Sequence, residues 1–403
     1  MTLPLVGVKV VDFSEHGFVP SAAAVLADWG ADVIKIERPA GDPMRTIIAN
    51  NLVANADGTD YLFQTVNRNK RGIAIDVTTD AGRAVFERLI AATDIYITNQ
   101  LPRVRRKLHT EPADLFAINP RLVFAKGHGQ GQRGADAEAG GFDSVSYWSR
   151  GGMAHMLTAP DAARMTMQRP ALGDIPSGMF FAGGICAALV HAQRTGEGIT
   201  VDTSLLNGAM WALSPDMAYS SIAGETAPPA TFVPGQRSPL VGDYRTADGR
   251  WVMLSMLDED RYFDQACRAI GLDPAATDFP DAAARREAWA DLYEQIRAKI
   301  GETPRAELQA ALTEHNCIFS FYAAPPEVLA DPAVVENGYA MAHPDHPKLR
   351  LSAAPAQFDD ELPSIRRPGP DIGEHSREIL VELGYGNQEI DELITTGAVV
   401  ARD

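Results

Sequence analysis

The run Ala171-Leu172-Gly173-Asp174-Ile175-Pro176-Ser177-Gly178 sets one carboxylate on a glycine-flanked turn, just ahead of an apolar stretch, Met179 to His191, that reads as a buried helix. A carboxylate held at such a turn can act as a covalent nucleophile. It can equally cap the helix, its oxygen accepting first-turn N–H groups while Pro176 occupies that turn. Spacing alone leaves both roles open and favours the cap. A second group of residues is basic or amide-bearing. Arg38, Asn69-Lys70-Arg71, Asn99 and the run Arg103, Arg105, Arg106, Lys107 flank strand-like segments, and open α/β sheets bind ligands at their carboxyl edge. In a chain of net charge −17, such a local cluster suggests a phosphate-bearing ligand. Taken singly, each also reads as a solvated side chain paired with nearby carboxylates.

Other titratable residues read as structural. His16, His128 and His155 have neither metal-ligand spacing nor a nucleophile beside them. Asp143, in Gly141-Phe142-Asp143-Ser144, is expected to cap a following helix. Cys317 lacks a cationic context and reads as a buried small residue.

The elements that must position these groups begin with alternating strands and helices, the pattern of a parallel sheet with crossover helices. Strand-like runs cover 8–13, 32–37, 72–76, 94–98 and 122–126, with helices over 21–29 and 80–92, and Gly30 closes the first helix as a left-handed cap. The expected class is α/β, with a doubly wound parallel-sheet large domain. Its first strand-to-helix turn, Ser14-Glu15-His16-Gly17-Phe18-Val19-Pro20, lacks G-x-G-x-x-G, so no dinucleotide cofactor is supported. A second apolar helix is expected over 204–218, then a Pro- and Gly-containing linker over 224–235. Asp248-Gly249 between two strand-like runs signals a hairpin, opening a smaller α+β unit. The expected boundaries are 1–195 for the first part of the large domain, 196–235 for a helix and linker, 236–335 for the small domain and 336–403 for the return.

Composition narrows the function classes. At 403 residues, with 45% hydrophobic and 22% charged residues, the chain is long enough for two domains and ordinary for a folded enzyme. Its acidity argues against a nucleic-acid partner. Three scattered cysteines form no disulfide framework or zinc site, so no metal is expected. No basic-then-apolar leader and no apolar run of membrane-spanning length are read, so a cytoplasmic location without a membrane partner is expected.

Several segments together resemble the class III CoA-transferases, the CaiB/BaiF group that includes formyl-CoA transferase and 2-methylacyl-CoA racemase. They are Val10-Val11-Asp12-Phe13, Val33-Ile34-Lys35-Ile36-Glu37-Arg38-Pro39 with Gly41-Asp42-Pro43, Asn69-Lys70-Arg71, Asn99, Leu172-Gly173-Asp174, Gly196-Glu197-Gly198, Tyr244-Arg245-Thr246-Ala247-Asp248-Gly249, Val328-Leu329-Ala330-Asp331-Pro332 and Gly373-Glu374-His375, in order along the whole chain. The resemblance implies an interlocked homodimer and a large domain completed by the C-terminal segment. It places Asp174 on the catalytic aspartate and implies coenzyme A or acyl-CoA as substrate rather than a resident cofactor, with a carboxylic acid as acceptor. His16, Arg38, Asn69, Lys70, Arg71, Asn99, Lys107 and Lys126 are the implied CoA-binding residues. The racemases of this group carry a histidine where this chain has Phe142, which favours the transferase over the racemase, with a CoA-binding protein without turnover as a further alternative. Phe232-Val233-Pro234-Gly235 stands where the oxalate-specific branch carries glycines. Tyr147-Trp148, Met153, Met156, Met165, Met167 and Trp211 offer apolar surface for a bulky acyl group, or simply core.

Overall fold

The computed structural model describes residues 3–228, 235–274, 279 and 282–402. Contacts divide the chain into two compact units, Met1–Ala227 with Pro332–Asp403, and Pro228–Asp331. Residues 196–227, expected to connect domains, therefore belong to the first unit. Of the expected linker, residues 229–234 lie outside the described residues, including Phe232-Val233-Pro234.

The large unit is built on β1 (Lys9–Phe13), β2 (Asp32–Glu37), β3 (Arg71–Ile75), β4 (Ile95–Thr98), β5 (Val123–His128) and β6 (Ile199–Ser204). Its helices are α1 (Phe18–Asp28), α2 (Tyr61–Asn67), α3 (Asp80–Ala91), α4 (Pro102–Leu108), α5 (Pro112–Ile118), α6 (Met153–Met156), α7 (Asp174–Thr195) and α8 (Leu205–Ala212). The seven-stranded sheet runs in the order C-terminal strand (Val399–Val400), β3, β2, β1, β4, β5, β6. The C-terminal strand pairs antiparallel with β3, so the sheet is mixed rather than wholly parallel. The strands read as apolar runs because both faces are covered. Val10, Val33, Ile97 and Ala125 pack with α1 and α7 on one side, while Val11, Ile75, Tyr96 and Phe124 pack with α3 and the C-terminal helices on the other.

The alanine-rich α1 is buried along its length except at Asp28 and packs against α7. Their approach is close enough that a Cβ on Gly178 would meet the backbone of Ala22 at 3.0 Å. With 22 residues and a most apolar window of mean hydropathy 1.5, α7 is long and apolar enough to cross a membrane, contrary to the expectation that no such run exists. Here one face, with Phe181, Ala182 and Ile185, joins the sheet-facing cluster, while Ile175, Phe180 and Val190 stay exposed. The expected single helix over 204–218 is instead α8 and a second helix, Ser214–Ala223. Pro215 explains the break, since it lacks an N–H for the preceding turn and suits the first turn of a new helix.

The small unit has β7 (Val241–Arg245), β8 (Trp251–Ser255) and β9 (Phe319–Phe321) in one antiparallel sheet. Gly249, at φ +81°, makes the β7–β8 turn. Helices Glu259–Ile270, Trp289–Glu302 and Arg305–Glu314 bury Phe263, Ile296 and Leu312 against it.

Candidate active site

Strand order reverses direction between β1 and β4, and the crevice beyond such a switch point is where open α/β sheets bind ligands. A cavity of about 480 Å³ lies there. The turn after β1 (Glu15, His16, Gly17), the segment after β3 (Asp76, Val77, Thr78), that after β4 (Asn99, Gln100, Leu101) and the Gly127-His128-Gly129 end of β5 line it, and Asp174 reaches into it.

Asp174 is the first residue of α7, and its side chain caps nothing. The cap is provided by Asp143, from an irregular π-type turn spanning Asp143–Ser149. The Gly173 N–H donates to both Asp143 carboxylate oxygens at 3.1 and 3.0 Å, and the Asp174 N–H donates to one at 3.4 Å. The expectation that Asp143 caps its own helix is thus corrected: no side chain caps that turn, and Asp143 satisfies N–H groups of another. Gly173 is obligatory there, because the Tyr147 ring and Asp143 Oδ1 occupy the space a Cβ would take.

The Asp174 carboxyl lies over Gly17, at the amino end of α1. A Cβ at residue 17 would run into Asp174 Oδ2 and stand 3.0 Å from Cγ. Burial, and then the neighbouring Asp143 carboxylate, push the Asp174 carboxyl up to about 8. The amino ends of α1 and α7 converge on it; the α7 first-turn N–H groups are taken by Asp143, Ala171 and Gly173, so the amino end of α1 is what favours negative charge at this point.

The turn that carries Gly17 is braced from below. His16 sits at φ +67°, a conformation that costs a non-glycine residue about 1–3 kcal/mol and persists only when its surroundings enforce it. The His16 N–H donates to Asp42 at 3.1 Å, and the Asn99 amide both accepts from the Glu15 N–H (3.1 Å) and donates to the Glu15 carbonyl (2.6 Å). Lys35, fully buried, donates to the Ser14 carbonyl and to Asp42, both at 2.9 Å. Lys70 is fully buried and donates to Asp12 (2.8 Å), the Pro20 carbonyl (2.8 Å) and Asn67 (2.9 Å). Burial lowers the Lys70 amine to about 8 despite Asp12.

The model of CoA-transferase family III matches residues 5–376. The chain belongs to that family. Its family III relatives include the cinnamoyl-CoA:phenyllactate CoA-transferase of Clostridium sporogenes, 28% identical, covering 96% of this chain and 95% of that protein. The human succinyl-CoA:glutarate CoA-transferase is also 28% identical, covering 98% and 90% respectively. A CaiB/BaiF family protein from Brucella suis superposes with a TM-score of 0.78 at 26% identity, covering 95% of this chain and all of that one. The protein is therefore an enzyme of the CaiB/BaiF type, with an α/β large unit on a mixed sheet and a smaller α+β unit.

The residues singled out in the sequence fall in four places. Asp174, His16, Arg38 and Asn99 line the cavity. Arg38 is exposed, its Nε 3.4 Å from Glu15. Lys107 is exposed beside an adjoining hollow of about 510 Å³, formed with Thr78, Asp80, Arg83 and His109. Lys126, half-buried on β5, lines neither, and burial together with Arg105 lowers its amine.

Asn69, Lys70 and Arg71 fall at the amino end of β3, a strand length of about 13 Å from the cavity edge. Their assignment to CoA is corrected on hydrogen-bond grounds. All three Lys70 ammonium donors are used internally, as above. Asn69 donates to Asp28 and the Ser364 carbonyl and accepts from the Arg366 and Arg367 N–H groups. Arg71 is held by Asp32, Glu378 and Glu382. Segments not assigned to the ligand from sequence stand at the cavity instead, namely Ile75–Thr78 and Gly127–Gly129 at the carboxyl ends of β3 and β5. Their position after strands was the available signal.

His128, read as structural, also faces the cavity, buried, with Nε2 unpartnered among the described residues; burial lowers its imidazole to about 4. Tyr147, Trp148 and Met153 are core, while Met165, Met167 and Trp211 are exposed, and none of them lines the cavity. Its apolar lining includes Phe13, Phe18, Phe142 and Leu205. The exposed Phe142 ring meets His16 edge-on at 5.1 Å.

Proposed function

We propose that the enzyme moves CoA from an acyl-CoA thioester to a carboxylic acid through covalent intermediates on Asp174, with a bulky or apolar acyl group. The observation that carries this reading is the Asp174 carboxylate seated against Gly17, where two helix amino ends meet inside the switch-point cavity. A carboxylate is a weak nucleophile, so the rate must come from contact and from N–H groups aimed at developing charge. Asp174 Oδ attacks the thioester carbonyl, and the C–S bond breaks to give a mixed anhydride and CoA thiolate. The thiolate then attacks the aspartyl carbonyl, releasing the donor acid and leaving an aspartyl-CoA thioester. The acceptor carboxylate attacks that thioester, forming a second anhydride. Thiolate attack on the acceptor carbonyl then gives the new acyl-CoA and restores Asp174.

In this reading the nucleotide end of CoA lies toward Thr78, Arg83 and Lys107, the thioester lies at Gly17, and Phe18, Phe142 and Leu205 face the acyl group. Two copies of the chain form the interlocked dimer, covering exposed apolar residues such as Met210, Trp211 and Ile222. Hydroxylamine added with an acyl-CoA is expected to leave a hydroxamate on the Asp174 peptide, read by mass spectrometry, and none in Asp174→Ala. A folded Asp174→Ala that still transfers CoA sinks the assignment.

A second reading, racemisation of a 2-methylacyl-CoA, needs two proton-transfer groups. Phe142 cannot serve, but His16 lies against it in the same cavity, and that favours keeping this alternative in the test. Incorporation of α-deuterium from deuterated buffer without an acceptor acid would decide for it.

A further inference from the structure

The arrangement around Asp174 singles out a second carboxylate 31 residues earlier in the chain. Asp143 is buried and takes the place that a helix's own capping residue normally fills, accepting the Gly173 and Asp174 N–H groups. Gly173 is wedged between this carboxylate and the Tyr147 ring. The start of α7 therefore has no freedom to rotate or slide without losing the cap or striking the ring.

We propose that Asp143 is a positioning residue for the nucleophile, fixing the Asp174 turn over Gly17 by holding the Gly173 and Asp174 N–H groups. This rests on the reading of Asp174 as the nucleophile. The groups facing the pair are Gln168 from the segment before α7, Tyr147 from the π-type turn, and His16 and Glu15 from the β1–α1 turn. The neighbouring Gln168 amide favours the ionised form of Asp143, and Asp143 is the charged group that acts on Asp174. Burial raises the Asp143 carboxyl while the two N–H groups pull it back toward ionisation. Its charge adds to the larger effect of burial in making Asp174 more basic, so the residue that positions the nucleophile also raises its basicity.

The test compares wild type, Asp143→Asn and Asp143→Ala by CoA-transfer kinetics, thermal melting and carbodiimide–amine labelling of Asp174 across pH, mapped by mass spectrometry. Asp143→Ala is expected to lower kcat about 100-fold, the cost of a nucleophile misplaced by about 1 Å. The KM for acyl-CoA should move little, because ground-state binding is made elsewhere. Asp143→Asn should recover part of kcat, since its amide oxygen still accepts from Gly173. In both variants the labelling midpoint and the acid limb of kcat should move to lower pH. An unchanged kcat and midpoint in Asp143→Ala overturns the proposal. So does equal loss in both variants with a collapsed melting temperature and no shift in midpoint, which marks a purely structural residue. Labelling needs no turnover, so it reports on Asp143 even if wild-type Asp174 forms no hydroxamate, an outcome that instead removes the nucleophile assignment.

Discussion

Gly17→Ala separates stability from catalysis in a single methyl group. Residue 17 has φ −97° and ψ −53°, a conformation that alanine adopts freely. The unfolded chain's lost freedom alone would favour alanine by about 0.4–1 kcal/mol, before its contact with Asp174 is counted. The added Cβ, however, would lie 3.0 Å from Asp174 Cγ and 3.3 Å from its Cβ, and closer still to Oδ2. Carbon contacts settle at about 3.5–4.0 Å, so the carboxyl group must retreat by roughly 0.5–1 Å. A retreat of that size costs up to about 100-fold in rate when reacting atoms must start in contact. Steady-state transfer kinetics, hydroxamate trapping and thermal melting on the same sample read all three quantities. The expected result is a variant that still melts cooperatively, with a kcat down by one to two orders of magnitude and an acyl-CoA KM close to wild type. A variant with wild-type kcat and wild-type trapping refutes the placement of the reacting carboxylate against Gly17.

Two further predictions concern buried charge. The Asp174 carboxyl titrates higher in the folded chain than the ordinary carboxylate value of 3.8, up to about 8, so folding favours its protonated form. That contribution is complete below the unfolded value and is lost as pH rises through the window from 3.8 to about 8. Asp174→Asn should therefore be more stable than wild type at pH 8.5, by about 1 kcal/mol or more, and the gap should close toward pH 4 in denaturant titrations; a gap that widens on acidification contradicts the burial argument. Lys70→Met leaves Asp12 buried without its partner and should cost about 3 kcal/mol in stability. At a temperature where the variant is folded its acyl-CoA KM should match wild type, whereas a large KM increase would restore Lys70 to the CoA site.

The alternation of strands and helices was legible because strands covered on both faces must be apolar throughout, and β2 was read to its residue limits. The C-terminal strand was not, because Val399–Val400 is too short to show a period. Asp174 could be found as a carboxylate on a turn, but the identity of its helix cap could not. Asp143 reaches that turn only through the packing of Tyr147 on Gly173, a contact between segments distant in the chain. The basic residues misled for a related reason. Asn69, Lys70 and Arg71 sit next to β3 in sequence, yet a strand has two ends and charge alone does not say which one faces a ligand. Their acceptors, the buried Asp12 and Asp28 and the partly exposed Asp32, are far away in the chain and look like surface acids in sequence. The α7 helix deceived in the opposite sense, because its flanking polar residues hid an apolar length of which the fold buries one face in its core.

The pairing of Val399 with Ile75 and Val400 with Ala74 bears on the order in which the protein can be made. Until residues 398–400 leave the ribosome, β3 presents an open edge, with the Asp76 N–H lacking the Ala398 carbonyl it later finds at 2.9 Å. Arg71 likewise waits for Glu378 and Glu382. The whole of Pro228–Asp331 is synthesised in the interval, giving that compact unit time to fold while the sheet beside the future cavity remains unfinished. An open strand edge is a template for wrong partners. Nascent chains stalled or cut before residue 398 are thus the species most exposed to aggregation.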